Sequence, residues 1–189
     1  MKLEILCKLF CIMLVTFYAA QQGIAEDFYV IPVGKTYNHT KADFFPCTDP
    51  GIGLPDGTST YHSGIDILPY AGVIKKLEVV IFISHTNNED IDVSLRHTDS
   101  NSMTEIELFT DIGGDGDGIF VHLDDDAEKD IGWAMAVQIN GGRWNPEGTA
   151  TLAEFNGIDA SGLWELLITD DTQNGQIGSL IAWGLYIVY

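Results

Sequence analysis

Two short acidic stretches in the middle of the chain carry the side chains best suited to chemistry. The first, T-D-I-G-G-D-G-D-G, spans residues 110–118, and the second, L-D-D-D-A-E, spans residues 123–128. Calcium takes about six to eight oxygen ligands, and neighbouring carboxylates supply them when a turn gathers them. The glycines of the first stretch allow such a turn. The sequence therefore predicts a calcium site built on Asp111, Asp115, Asp117, Asp124, Asp125 and Asp126.

The acidic region has a second interpretation, a solvated acidic hairpin that binds nothing. Carboxylates packed this closely repel one another, which favours a cation or partial protonation. An EF-hand loop does not fit, because Gly113 stands at the first ligand position and no flanking helices are predicted. The five histidines show no metal-ligand spacing, so a nitrogen- or sulfur-ligated metal is not expected.

The overall charge limits the kinds of partner. The 189 residues include 28 Asp and Glu against 9 Lys and Arg, which gives a formal net charge of −19. Without a basic face to neutralise phosphates, the protein is expected to bind neither nucleic acid nor an anionic membrane. The length suits a single well-cored domain.

Residues 1–25 have the pattern of a secretory signal peptide. A basic start leads into an apolar run of about a dozen residues, and Gly23 and Ala25 supply the small side chains that precede a cut before Glu26. The run is shorter than the ~20 residues that a bilayer span needs. The pattern predicts export, to the extracellular space or to the periplasm of a bacterium, with no membrane attachment after cleavage.

Residues 26–53 are rich in proline and glycine and are predicted to form an extended leader. Asn38 opens a glycosylation sequon. Cys47 is the one cysteine that would remain after cleavage, so it cannot form an internal disulfide. A buried thiol and an intermolecular bridge both remain open for it.

Residues 54–189 are predicted to form one all-β domain. Short apolar runs with a period of two residues are separated by Gly, Asn and Asp turns. The clearest alternation places four side chains on one face of a strand: Leu77, Val79, Ile81 and Ile83. About eight such strands without a sustained helical period predict a β-sandwich, and a jelly roll is the favoured version.

The order of motifs in this segment resembles the P domain, also called Homo B, of proprotein convertases and bacterial subtilisin-like serine proteases. The similar motifs are L-P-D-G at Leu54–Gly57, I-S-H-T at Ile83–Thr86, L-D-D-D-A-E at Leu123–Glu128, G-L-W at Gly162–Trp164 and S-L-I-A-W-G-L at Ser179–Leu185. Two details depart from the family pattern: Leu123 replaces the usual Phe, and residues 96–98 lack the common S-P-x-G turn.

The resemblance implies a jelly roll that is an accessory domain and not the catalytic part of its enzyme. In the family this domain packs against a protease domain and supports its folding, stability and response to calcium or pH. The resemblance also implies that Asp159, in the F-x-G-x-D turn, lies near the second acidic stretch and joins the calcium ligands. Three other aspartates are weaker candidates: Asp90, Asp170 and Asp171.

No catalytic centre is predicted. Ser59 stands in a G-T-S sequence like that around a subtilisin nucleophile, but a strand and not a helix is expected after it. A carboxylate pair for glycoside hydrolysis is not singled out by any motif. Trp164 and Trp183 are predicted to pack in the core, whereas Trp144, in a loop, is the tryptophan with the better claim to exposure.

Two functions of different classes follow from these observations. The leading hypothesis is a secreted, calcium-stabilised P-domain-like module without its own protease, which binds or supports a subtilisin-like serine protease or another extracellular protein. The alternative is an acidic matrix or mineral-associated protein whose charge itself is the function. A fragment of a larger protease is disfavoured, because the signal directly precedes the domain.

Overall fold

The computed structural model describes residues 42–47, 52–69, 71–134 and 139–189. The predicted signal peptide, most of the predicted leader and Asn38 lie outside these residues. Strands dominate the described part: β1 (Ala42–Pro46), β2 (Ile52–Leu54), β3 (Thr60–Ile67), β4 (Lys76–His85), β5 (Ile91–Thr98), β6 (Met103–Phe109), β7 (Ile119–Leu123), β8 (Ile139–Trp144), β9 (Gly162–Asp170) and β10 (Gly178–Val188). Three short 3₁₀ turns begin at Asn88, Ile131 and Leu152.

The strands form two sheets with the strand order of a jelly roll. One sheet has the order β1-β10-β4-β7-β8, with β2 also paired to β10, and the other has the order β3-β9-β5-β6. Neighbours are antiparallel except for β7 and β8, which run parallel. Beyond β3 the chain passes to the first sheet at β4, to the second for the β5–β6 hairpin, and back again at β7. This confirms the predicted all-β sandwich.

Strands β1 and β2 begin the first sheet. Strand β1 falls within the segment predicted as an extended leader, β2 spans the end of that segment, and both pair with β10. Strand β8 is a further addition, at the far edge of the same sheet. Within the described residues, no helix has the length and apolar character needed to cross a membrane.

The core lies between the two sheets and follows the alternation of the sequence. On β4 the predicted inner face is buried throughout: Leu77, Val79, Ile81 and Ile83 are at most 1% exposed. Each such side chain contributes roughly 1.5–3 kcal/mol when it leaves water. The register of β4 is fixed by this pattern, because a slip of one residue would turn all four side chains outward.

The tryptophans divide between core and surface, and one prediction about them is wrong. Trp164 and Trp183 are 0% and 3% exposed, as predicted. Trp144 is only partly exposed and lies under Lys129, whose Nζ is 5.6 Å from the centre of the indole ring. The exposed indole is that of Trp133, at 85%, in the 3₁₀ turn after the second acidic stretch.

A buried polar cluster joins the ends of β4 and β9. The His85 and Asp170 side chains are both 0% exposed, with Nε2 of the ring 3.2 Å from the carboxylate. Nδ1 of His85 lies 2.6 Å from the carbonyl oxygen of Asn87. Beside them Asp90 accepts hydrogen bonds from the side-chain amides of Asn87 at 2.8 Å and Asn174 at 2.9 Å. The two strand ends are therefore held by side chains as well as by the backbone.

Cys47, directly after β1, carries a buried thiol. Its sulfur lies 3.3 Å from the hydroxyl oxygen of Ser63, which also accepts a hydrogen bond of 2.8 Å from Nε1 of Trp183. This position agrees with the interpretation of Cys47 as a buried thiol, because an intermolecular disulfide needs an accessible sulfur.

Candidate metal centre

The loop between β6 and β7 carries three of the predicted ligands. Asp111, Asp115 and Asp117 are exposed on it. In the part of the chain that the structure describes, none of these three carboxylates accepts a hydrogen bond or pairs with a cation. Positive φ angles make the tight turn that the sequence predicts: 79° at Gly113, 53° at Gly114 and 85° at Gly118.

Backbone hydrogen bonds fasten this loop to the 3₁₀ turn that precedes β5. The amide of Asn88 donates to the carbonyl of Gly116 at 3.1 Å, and the amide of Glu89 donates to the carbonyl of Gly114 at 3.0 Å. The side-chain nitrogen of Asn88 donates to the carbonyl of Gly118 at 2.9 Å. The acidic loop therefore folds around Asn88, a residue from a different part of the sequence.

A pocket of about 610 Å³ opens beside the loop. Its acidic lining residues are Glu89, Asp111, Asp115 and Glu147, and no Lys, Arg or His lines it among the described residues. Gly132 and Ala134, the neighbours of the exposed Trp133, complete one side. The pocket thus joins the loop to a carboxylate from the turn after β8, Glu147, whose Oε2 accepts a 2.7 Å hydrogen bond from the amide of Thr110.

Repulsion among carboxylates extends from this pocket to the first residues of β5. Burial raises the pKa of Asp92 to about 6, and the charges of Asp111 and Asp171 add to the effect. The pKa of Asp111 is raised by partial burial and by the charges of Asp171 and Glu147. This end of the molecule therefore holds a concentration of negative charge that a cation would stabilise.

Replacing Asp92 with asparagine is expected to stabilise the protein at pH 7, because it removes a carboxylate that its neighbours repel. The gain should be only roughly 1 kcal/mol, because Asp92 is half exposed and solvent screens part of the repulsion. A carboxyl with a raised pKa binds its proton more tightly in the folded state. Below the ordinary pKa of 3.8, Asp92 is protonated and its repulsion does not destabilise the wild type. This advantage is lost as the pH rises through about 6.

Urea denaturation of the wild type and Asp92→Asn at pH 5 and pH 7 measures this difference. The gap in unfolding free energy between the two proteins should be larger at pH 7. A gap that does not change with pH would show that the Asp92 carboxylate is not repelled.

The second acidic stretch is already engaged by protein groups. Asp124 is fully buried and pairs with Nζ of Lys76 at 2.9 Å and with the guanidinium of Arg143. Asp126 pairs with the same Lys76 nitrogen at 2.7 Å. Asp125 accepts hydrogen bonds from the amides of Leu152 at 2.9 Å and Ala153 at 2.7 Å. These three carboxylates thus have structural partners in place of open coordination positions.

The same ion-pair network reaches across the outer face of β4. Oε2 of Glu78 lies 2.7 Å from Nε2 of His122, and Oε1 lies 3.0 Å from Nζ of Lys76. Burial alone would raise the pKa of Glu78, but the hydrogen bonds from His122 and Lys76 outweigh it and lower this pKa to about 2. The network ties β4 to β7 and to the second acidic stretch.

Replacing Asp125 with alanine is expected to cost about 1–2 kcal/mol, the usual price of a lost side-chain cap, because the first amides of the 3₁₀ turn at Leu152 lose their acceptor. Asp126→Ala is the matched control. Its side chain is 76% exposed and makes a surface ion pair, so a cost of roughly 0–1 kcal/mol is expected.

Chemical denaturation of both variants with and without calcium separates a cap from a ligand. If Asp125 only caps the turn, Asp125→Ala lowers the free energy of unfolding by the same amount with and without calcium. A larger cost for Asp125→Ala with calcium present would assign Asp125 to the ion instead.

The remaining candidates lie apart from the loop or in the buried cluster. Asp159 accepts hydrogen bonds from the amide and hydroxyl of Ser161, and these bonds lower its pKa. Among its charged neighbours in the described residues, His97 lowers this pKa and Asp99 raises it. Asp90 and Asp170 belong to the cluster around His85 described above.

The structure therefore groups the candidates differently from the sequence. Asp111 and Asp115 share a pocket with Glu89 and Glu147, which lie outside the two acidic stretches of the sequence. Across the described ranges, no three His, Cys, Asp or Glu side chains converge as a preformed metal site. Calcium also accepts amide and carbonyl oxygens and completes its coordination with water. The missed residues lie in distant segments, and the N-E-D sequence at 88–90 gives no sign of the contact.

Comparisons with known proteins give no family assignment. No family model matches the chain, and no curated protein matches it. Among solved structures, the chain is similar to the serine protease of Aeromonas sobria, crystallised alone and in complex with the chaperone. In both cases the identity is 15%, the TM-score is 0.47, and the match covers 88% of this chain and 29% of the other. The chain thus spans less than a third of the length of those proteins.

Proposed function

We propose that this protein is a secreted, calcium-binding, non-catalytic module of the P-domain type that binds or supports a subtilisin-like serine protease or another extracellular partner. The observation that carries the proposal is the jelly roll itself. The motifs that resemble the P domain fall on its strands and strand ends over almost the whole described domain.

The position of each motif supports this reading. I-S-H-T ends β4 and supplies the buried His85, and L-D-D-D-A-E forms the turn after β7. The two tryptophan motifs place Trp164 in β9 and Trp183 in β10, and both indoles are buried. The residues that carry the resemblance are therefore residues on which the fold depends, which is what a shared fold requires.

The surroundings of Ser59 support a non-catalytic role. Ser59 is exposed, and strand β3 begins at the next residue. A subtilisin-type nucleophile stands at the start of a helix, and an extended strand in that place does not present the hydroxyl to a histidine in the same way.

Calcium binding is supported by the donor set at the β6–β7 loop. Asp115 and Asp117 are exposed without partners among the described residues, and the adjoining pocket is lined by acidic and neutral side chains. Oxygen-only donors with excess negative charge suit calcium better than zinc or copper. The residues present therefore fit the ion that the resemblance implies.

The protease-binding part of the proposal is tested with the catalytic domain of a subtilisin-like serine protease that lacks its own P domain. The mature chain is added during refolding of that domain, and recovered peptidase activity and melting temperature are measured. An equal amount of an unrelated acidic protein is the control. Equal recovery with both additives, together with no complex by gel filtration, would reject this partner class.

The exposed acidic surface supports a second candidate function, that of an acidic matrix or mineral-associated protein. Dispersed exposed carboxylates such as Asp66 suit many weak calcium contacts and not one built site. Calorimetry of calcium binding distinguishes the two functions. Many weak sites without a rise in melting temperature would support the matrix role.

A further inference from the structure

Strand β6 is an edge of the second sheet, and its first part, residues 103–107, has a neighbouring strand on one side only. The turn after β8 closes the rest of this edge, because the amide of Glu147 donates to the carbonyl of Leu108 at 2.8 Å. Among the described residues, no hydrogen bond reaches the outer side of residues 103–107. An open edge of this kind can accept an extended segment as an additional strand.

The register of the sheet shows which backbone groups face the open side. The amide of Asp171 donates to the carbonyl of Asp90, so the even-numbered residues of β5 bond to β9 and the odd-numbered residues bond to β6. The residues of β6 opposite those odd-numbered positions are Thr104 and Ile106. The residues whose amides and carbonyls point away from β5 are therefore Met103, Glu105 and Glu107.

The side chains along this open edge are acidic. Glu105 and Glu107 are exposed, as is Met103 at the start of the strand. Glu105 lies 2.8 Å from the guanidinium of Arg96, whereas Glu107 has no ionic partner among the described residues. Burial raises the pKa of Asp92, and the charge of Glu107 contributes to the same shift. This edge therefore carries negative charge that a basic strand would neutralise.

The same charges argue against two other arrangements. If a second copy of this chain paired through β6, the acidic residues of one strand would lie against those of the other, and like charges in opposite positions destabilise a strand pair. The opposite edge strand of this sheet, β3, carries a single acidic residue, Asp66. A basic segment is therefore attracted more strongly to β6 than to β3.

We propose that the open edge of β6 binds an extended basic segment of a partner protein as an additional antiparallel strand. This inference rests on the proposed partner-binding role and gives that role a surface. The pairing is antiparallel because every strand pair of this sheet is antiparallel. Opposite residues of such a pair share one face, so Lys or Arg at every second position of the segment lies beside Glu105 and Glu107.

The test uses a short blocked peptide of alternating lysine and threonine, titrated into the labelled mature chain and followed by nuclear magnetic resonance. Saturable binding should slow the hydrogen exchange of the amides that face the open side, those of Met103, Glu105 and Glu107. The amides of Thr104 and Ile106 already bond to β5, so their exchange should change less. Binding that leaves the exchange at the open edge unchanged would overturn the inference.

A charge reversal on the edge tests the partner chemistry. Glu107→Lys should weaken binding of the peptide by about five- to tenfold, because an attraction is replaced by a repulsion. Asp66→Lys is the matched control, since it makes the same change at an exposed position on the opposite edge. Both side chains are exposed, so both variants should keep the fold. Equal weakening in the two variants would show attraction to the overall charge and not to β6.

Methylation of the peptide amides separates strand pairing from charge attraction. In the antiparallel arrangement the lysine amides face β6 and the threonine amides face away from it. Methylation of the lysine amides should therefore abolish binding, whereas methylation of the threonine amides should not. Equal binding of the two methylated peptides, or no binding of the unmethylated one, would overturn the inference. The refolding experiment with the protease domain would still test the proposed function on its own.

Discussion

Replacing His85 with alanine is expected to lower the free energy of unfolding by about 3–5 kcal/mol, a large share of the ~5–15 kcal/mol that holds a typical domain together. The reason is that the substitution removes the histidine ring that contacts the buried carboxylate of Asp170. Both side chains are fully buried, and the histidine ring is the side chain that faces this carboxylate at 3.2 Å, on the oxygen that the amide of Thr172 does not contact. A buried charge without its partner cannot recover the solvation that it loses on folding.

The arrangement of hydrogen atoms in this pair follows from the carbonyl of Asn87. Nδ1 of His85 lies 2.6 Å from the carbonyl oxygen of Asn87 and 3.2 Å from its amide nitrogen, and the shorter contact favours a hydrogen on Nδ1, since the oxygen has none to give. Burial raises the pKa of Asp170, even though the hydrogen bond from His85 acts in the opposite direction.

The pH dependence of His85→Ala checks this explanation. Without the ring, the pKa of Asp170 should rise further, so the folded variant takes up a proton more readily than the unfolded chain. The variant should therefore regain stability, relative to the wild type, as the pH falls from neutral. Urea denaturation at pH 5 and pH 7 measures the change.

His62→Ala provides the matched control for His85→Ala. His62 also lies 3.2 Å from a carboxylate, that of Glu165, but its side chain is 45% exposed. Removal of this surface pair should cost only about 0–1 kcal/mol. Equal losses for the two variants would contradict the argument, because burial is the property that separates these pairs.

The parts of the fold that the sequence predicts are those with a local signal. Alternation along β4 identifies its buried face because side chains in a strand point to opposite sides. The tryptophan motifs of β9 and β10 identify core positions in the same way. The contacts that join distant segments have no such signal. Lys76 precedes Asp124 by nearly fifty residues, and nothing in either segment indicates that they pair.

The candidate site shows the same limit more sharply. Seven aspartates look alike in the sequence, but the structure leaves the three in the β6–β7 loop without a partner among the described residues and engages the other four. The exposed tryptophan is another case, since Trp144 stands in a stretch rich in Gly, Asn and Pro that predicts a loop. Trp144 ends β8 and stacks under Lys129, whereas Trp133 stays in water.

Replacing Trp164 with alanine is expected to cost about 3–5 kcal/mol, because it empties the largest fully buried side-chain position of the core. The indole lies with its ring centre 5.1 Å from that of Phe155 and 4.3 Å from that of His97. Its Nε1 also donates to the carbonyl of Ala160 at 2.9 Å, so the change leaves that oxygen without its donor. Urea denaturation followed by circular dichroism measures the loss.

Two further variants separate the contribution of burial from that of the indole itself. Trp133→Ala removes the same side chain from a position that is 85% exposed, so a change within about 0.5 kcal/mol is expected. Trp164→Phe keeps an aromatic ring in the core and should cost less than Trp164→Ala. If Trp133→Ala were as destabilising as Trp164→Ala, the exposed indole would have to pack against another part of the protein. The surface beside the acidic pocket would then be a structural contact and not free for a partner.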